Sequence, residues 1–303
     1  MENQRSREVL GAVNVLLAAL LWGTLTPLAR LVIARGLAPV EVAFWRIAVS
    51  AGCFAIHAAA TGRAGLPRRV VPHVLALGIA STALLFGAYF TAVAHLGAAR
   101  AVVLLYLAPT LTVLLAAWRA ATRPTPTLLL SALLAAVGVG ASSGSVSLFS
   151  PAAADLFGLL AGIIAALALA IYPMLAQPAV RAAGAVPAYL WAMLTGACVL
   201  LPLVRFSAKS ADLWALLLVI GVGPGYLASS LYARGIRTLP AERAAVLGTA
   251  EPLTVLLIGW TWLGEQVTAG ALVGAGCILA ATLLASRRVP SPMFSSTTLH
   301  EEC

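Results

Sequence analysis

Charge is scarce in this sequence: only 10% of its 303 residues are Asp, Glu, Lys or Arg. A soluble domain carries about a quarter. With 61% apolar residues and a mean hydropathy of +0.99, the shortage excludes a single water-soluble core and makes lipid the main solvent. Lysine is nearly missing beside many arginines and alanines, a composition that points to a GC-rich bacterial genome and hence to an inner (plasma) membrane. Cysteine is too sparse and scattered for a disulfide scaffold. Cys53, Cys198 and Cys277 sit in apolar runs, where a free thiol packs as a small hydrophobe, and Cys303 ends the chain. No P-loop is present, so nothing supports nucleotide hydrolysis, and the histidines lack paired metal-ligand spacing. No metal and no cofactor are expected.

The net charge of +9 raises nucleic acid as a partner. The arginines, however, punctuate the gaps between apolar runs and build no basic face, which is the pattern of topology-setting charge. The expected partners are a lipid bilayer and a small-molecule substrate, with no nucleic acid.

A membrane-spanning helix takes about 20 mostly apolar residues. Such runs lie near 10–30, 38–60, 72–95, 100–118, 126–145, 154–176, 186–204, 212–233, 240–262 and 267–286. None shows the alternation of a barrel strand, so the expected fold is an all-α integral membrane protein of ten transmembrane helices. With the N-terminus in the cytoplasm, thirteen arginines fall on inside segments: Arg5, Arg7, Arg63, Arg68, Arg69, Arg119, Arg123, Arg181, Arg234, Arg237, Arg243, Arg287 and Arg288. Arg30, Arg35, Arg100, Arg205 and Lys209 fall outside. The bias places both termini in the cytoplasm.

One word is written twice. Leu111-Thr112-Val113-Leu114-Leu115 precedes Trp118, and Leu253-Thr254-Val255-Leu256-Leu257 precedes Trp260 at the same interval. Pro109 and Pro252 lie just upstream, and Tyr89 and Arg100 match Tyr232 and Arg243. Five helices per copy is an odd number, so the second copy is expected upside down. The units are 1–146 and 147–289, joined at the Ser/Gly-rich stretch Ser142 to Ser147, with a disordered cytoplasmic tail at 290–303. A duplicated membrane unit is the signature of a secondary transporter, because two copies can rock about one central site. Two fused copies complete a pathway, so a functional monomer is expected.

The ordered motifs resemble the drug/metabolite transporter superfamily, specifically ten-helix proteins built from two EamA-type units. They are Trp22-Gly23, Arg46 within Phe44-Trp45-Arg46, Pro109, Glu251-Pro252 and Leu263-Gly264-Glu265. The resemblance covers roughly 10–288. Two features depart from it: Thr122-Arg123 stands where the first unit usually has Gly-Glu, and Leu169-Ala170 stands where the sixth helix usually starts Trp-Ala. The resemblance implies outward movement of amino acids (aromatic ones among them), other metabolites or drugs, and no enzymatic activity.

Glu251 sits mid-span, where an ionised carboxylate costs several kcal/mol unless paired, protonated or facing water. It reads two ways: a cavity carboxyl that binds a substrate amine or exchanges a proton, or a structural joint at the Pro252 kink. Ala244, Gly248, Glu251 and Thr254 recur at helical spacing, as a cavity wall or a close-packing face. Arg46 is the second intramembrane charge, reaching another helix or a substrate carboxylate. Pro109 and Pro252 are read as mid-helix hinges. Gly221, Gly223, Pro224 and Gly225 form a weak helical stretch; the third span has no comparable word at Gly78-Ile79-Ala80-Ser81, so unequal motion of the units is expected. Trp22, Tyr89, Tyr106, Tyr172, Trp191, Tyr226 and Tyr232 suit a pathway for an amphipathic solute with an apolar or aromatic part. Multidrug or organic-cation efflux is the nearest alternative, with Glu251 facing the cation. Gly140-Ala141-Ser142-Ser143-Gly144 matches the G-x-S-x-G of serine hydrolases, with His57, His73 or His95 as base, but lacks the strand-to-helix elbow that chemistry needs.

Overall fold

The computed structural model describes residues 2–96, 101, 104–105, 107–119, 124–142, 156–248, 250–261 and 269–286. Tyr106, Arg100, Thr122-Arg123, Leu263-Gly264-Glu265, nearly all of the linker with its unit boundary, and the tail lie outside them. The described residues form fourteen α-helices, two π-helical segments and short 3-10 turns, with no strand among them.

The first unit holds α1 (Glu2–Gly23), α2 (Leu25–Ala34), α3 (Pro39–Thr61), α4 (Val71–Gly78), α5 (Leu85–Leu96), α6 (Ala108–Arg119) and α7 (Pro126–Ser142). The second holds α8 (Leu156–Ala183), α9 (Ala185–Leu200), α10 (Ala211–Ile220), α11 (Ala228–Gly235), α12 (Ala241–Gly248), α13 (Glu251–Thr261) and α14 (Ala269–Ser286). Among the described residues, six continuous helical stretches are long and apolar enough to cross a bilayer: Ser6–Ala34, Pro39–Thr61, Arg68–Val93, Leu156–Ala183, Ala185–Leu203 and Ala211–Gly235. Two shorter apolar helices, Pro126–Gly138 and Leu272–Ala281, pack against each other as parts of α7 and α14.

The bundle is apolar outside and polar at selected points inside. Ile56, Val137, Phe157, Leu218 and Leu283 are exposed, while Glu41, Arg46, Ser50, Ser81, Thr112 and Ser229 are buried. That arrangement fits hydrocarbon as the surrounding solvent. Small residues set the closest helix approaches. A Cβ on Gly78 would stand 2.6 Å from the Ala192 carbonyl oxygen, and one on Gly196 would stand 3.1 Å from that of Gly78, so α4 and α9 touch backbone to backbone. Gly184, at φ +88°, makes the abrupt turn from α8 into α9 that a side-chain-bearing residue would strain to adopt.

The units interleave, and their contacts exchange. α5 packs on α8 as α11 packs on α1; α6 packs on α8 as α13 packs on α1; α3 meets α9, and α7 meets α14.

Two expectations need correction. The prolines do not kink continuous helices. In the first unit Leu107 forms a turn, its N–H bonding Leu104 O at 3.1 Å, and α6 starts at Ala108 with Pro109 second. In the second unit α12 ends at Gly248, Ala250 N–H bonds Leu247 O at 3.2 Å, and α13 starts at Glu251 with Pro252 second. Proline is tolerated there because the first-turn N–H has no partner within the helix. The weak glycine segment also has a counterpart: Gly221–Leu227 is π-helical, and so is Ile79–Leu84 in the third span. Composition hid the latter because no glycine or proline marks it beyond Gly78. Each π segment packs on the other unit, Ile79–Leu84 against α9 and Gly221–Leu227 against α3.

Candidate functional site

The helix breaks place a cavity of about 60 Å³ between the units, room for a few water molecules. Trp22 at the end of α1, Tyr172 and Pro173 on α8, and Tyr232 on α11 form one wall. Ala108, Pro109 and Thr112 of α6 form another, and Ala244, Gly248 and Glu251 of α12 and α13 a third. Thus Glu251 is not in mid-helix: it heads α13, where the helix dipole favours a carboxylate. Half-helix N-termini turned to a central cavity are how transporters present polar backbone at membrane depth.

The aromatic wall is tightly built. The Trp22 and Tyr232 rings are 5.1 Å apart, and Tyr172 stacks on Tyr232 at 5.2 Å with 26° between planes. The Tyr172 hydroxyl meets the Tyr189 hydroxyl at 2.6 Å. Tyr189 stacks on Phe54 at 5.7 Å, and Phe54 leads to Tyr226, whose hydroxyl lies 2.7 Å from His57 Nδ1. Tyr226 therefore belongs to a neighbouring cluster, joined to the cavity through Tyr189. Tyr89 is buried on α5, its ring 5.4 Å from that of Phe90. Trp191 does not join the cavity; it is 44% exposed and donates to Ala64 O at 2.8 Å.

Arg46 is buried in α3. Its guanidinium lies 3.9 Å over the Phe86 ring and donates from Nη2 to Pro224 O at 3.3 Å. Nearby, the Ser50 hydroxyl meets both the Arg46 and Gly221 carbonyls, at 2.6 and 2.8 Å. The π segment supplies these acceptors: Gly221 and Pro224, read from the sequence as flexible, present carbonyls to α3 instead of to their own helix alone. Gly225 lies close enough that a Cβ would strike Ser50, whereas Gly223 faces open space. Arg46 is not among the residues that line the cavity; it sits between Phe86 and the π segment.

A feature not anticipated from sequence lies at the start of α3. Glu41 pairs with Lys209 from the 204–210 loop, with side chains only 1% and 4% exposed. Glu41 also accepts from the Ser207 hydroxyl at 2.9 Å and the Ser207 N–H at 3.2 Å. Trp45 and Trp214 lie 5.3 Å from the ammonium and Phe206 5.9 Å, close enough for cation–π attraction. Arg35 pairs with Asp212 beside it, at the surface. The signal was present in composition, since Lys209 stands almost alone among arginines, but its partner is remote in sequence.

A family model settles the lineage: the EamA-like transporter family matches residues 9–144 and again 156–287. The chain belongs to the EamA-like transporter family. It is 29% identical over 279 residues to an uncharacterized transporter of Archaeoglobus fulgidus, covering 91% of this chain and 96% of that protein. It is 30% identical over 196 residues to the uncharacterized inner membrane transporter YicL of Salmonella typhimurium, covering 62% of this chain and 64% of that one. A crystal structure shares its fold with TM-score 0.75 at 20% identity, covering 91% of this chain and 96% of the other. This EamA-family chain is a multi-pass membrane protein.

Proposed function

We propose that the chain is a ten-helix secondary transporter that moves amino acids, aromatic ones among them, outward across a bacterial inner membrane by alternating access. The observation that carries the reading is the cavity between exchanged units, headed by Glu251 at a helix N-terminus and walled by Trp22, Tyr172 and Tyr232. The carboxylate supplies a place for a substrate ammonium or a coupling proton, and the rings supply apolar contact for a side chain. The exchanged contacts support two inverted units that take each other's shape as access alternates. The Glu41–Lys209 clasp then closes one end, and the single Trp191–Ala64 hydrogen bond ties the other. One chain holds the whole pathway and acts as a monomer.

The test is a screen of labelled amino acids in liposomes containing the purified protein. Accumulation of at least one amino acid above protein-free liposomes is expected. Flux of amines alone moves the reading to organic-cation efflux, with Glu251 as the cation's partner.

A further inference from the structure

We infer that Arg46, Ser50 and His57 of α3 are positioning residues that latch the second unit's π segment, so that the rocking units slide at the other seam, between α9 and Ile79–Leu84. The inference rests on the alternating-access reading above and adds to it which of two matching contacts moves.

The two seams are copies of each other. Trp45 and Trp191 hold the same place in α3 and α9, which pairs Arg46 with Ala192, Ser50 with Gly196 and His57 with Leu203. On the facing side, the match of Tyr89 with Tyr232 pairs Gly78 with Gly221, Ser81 with Pro224, Thr82 with Gly225 and Ala83 with Tyr226. Packing obeys this pairing. A Cβ on Gly221 would strike Val49, and one on Gly78 would stand 2.6 Å from the Cβ of Thr195, the counterpart of Val49. A Cβ on Gly225 would strike the Ser50 hydroxyl, and one on Gly196 would stand 2.8 Å from Thr82.

The chemistry of the copies differs. Across the α3 seam Arg46 donates from Nη2 to Pro224 O at 3.3 Å, and His57 Nδ1 lies 2.7 Å from the Tyr226 hydroxyl. The Ser50 hydroxyl lies 2.8 Å from Gly221 O, sharing its proton with Arg46 O at 2.6 Å. Ala192, Gly196 and Leu203 carry no polar side-chain atom, so α9 can form none of these bonds. Among the described residues no side-chain hydrogen bond joins α9 to Ile79–Leu84. Thr82 and Thr195 turn their hydroxyls to Leu77 O and Trp191 O within their own spans, and Ser81 reaches α8 instead, at Ala168 O. The first π segment is thus tied to α8 and only packed on α9, whose bond to the first unit, from Trp191 to Ala64 O, lies outside the seam.

At membrane depth no water replaces a broken hydrogen bond, so the α3 seam resists sliding while small-residue packing at the α9 seam permits it. The latch acts through position. Tyr232 follows its π segment on the continuous stretch Ala211–Gly235 and lines the cavity, whereas its counterpart Tyr89 does not. Glycine content alone points the other way, to Gly221–Leu227 as the looser segment; the three α3 side chains reverse that by supplying partners for it.

The test is electron paramagnetic resonance of spin-label pairs at matching exposed places, in the full chain in lipid nanodiscs with the remaining cysteines replaced by alanine. Gly52→Cys with Leu227→Cys spans the α3 seam, and native Cys198 with Leu84→Cys spans the α9 seam. The α3 pair is expected to give one narrow distance, and the α9 pair a broader or two-peaked distribution. Arg46→Met combined with Ser50→Ala is expected to widen the α3 distribution to that of the α9 pair. Arg46→Lys, which keeps a donor for Pro224 O, is expected to leave it narrow. Equal widths at the two seams of the wild type overturn the inference, and need no variant to fold. An α3 distribution that stays narrow after loss of both donors overturns it too. No substrate is added, so these outcomes are separate from the transport screen; a screen without flux overturns the transport reading and the latch's part in it, whatever the widths.

Discussion

Ala108 and Glu251 open matching helices on one cavity, each followed by proline, and only Glu251 is charged. The next turn differs as well. Thr112 and Thr254 hold the same place in the repeated word, yet the Thr112 hydroxyl meets Ala108 O at 2.9 Å and Ala170 O at 3.0 Å, tying α6 to α8. Among the described residues the Thr254 hydroxyl is buried without a hydrogen-bond partner; the residue packs on Gly23, where a Cβ would stand 2.4 Å from the Thr254 Cβ. Duplication thus supplied the geometry twice, and divergence put a carboxylate at one helix head and not at the other. The loop docks diverge in the same manner. Trp45 and Trp191 are each the seventh residue of their helix, α3 and α9. Trp45 helps to enclose a buried ion pair, whereas Trp191 makes one half-exposed hydrogen bond.

The largest effect should come from the clasp. Lys209→Met leaves the buried Glu41 carboxylate with Ser207 but no cation, and removing one partner of a buried pair costs about 3–5 kcal/mol. Thermal unfolding in detergent should show a large drop, whereas Trp191→Phe should cost about 1 kcal/mol or less. Equal losses would mean that the two docks are equivalent and that the clasp is not special.

A smaller effect is expected from making the helix heads alike. Ala108→Glu places a carboxylate at the α6 terminus, where it competes with an incoming anion, and should lower amino-acid uptake about tenfold. Unchanged uptake would show that this terminus takes no part in loading. The smallest contrast is between the threonines. Thr112→Val should cost about 1 kcal/mol, since it removes the tie to Ala170, and Thr254→Val should be neutral or stabilising, since it removes an unsatisfied hydroxyl. A reversal in unfolding midpoints would place the firmer joint in the second unit.

The repeat and the place of Trp22, Tyr172 and Tyr232 within spans were legible in sequence because each is local or is written twice. The helix starts at Ala108 and Glu251 were not, since a proline that kinks a helix and one that opens it look alike without the preceding turn. The π segment at Ile79–Leu84 was hidden because residues of ordinary helix propensity carry it, held by packing against α9. The clasp was hidden for another reason: Ser207 and Glu41 are 166 residues apart, and nothing local to either predicts their meeting. Trp191 looked like a pathway residue only because apolar context cannot tell a cavity from a helix end.

We propose that Glu251, at the head of α13, carries the proton whose gradient drives transport. Its most direct test is uptake of a transported amino acid into liposomes at several imposed pH gradients, wild type beside Glu251→Gln. Wild-type uptake should follow the gradient, and residual uptake by Glu251→Gln should ignore it. Equal dependence on the gradient in both proteins, or in neither, would contradict it and leave Glu251 as a structural joint.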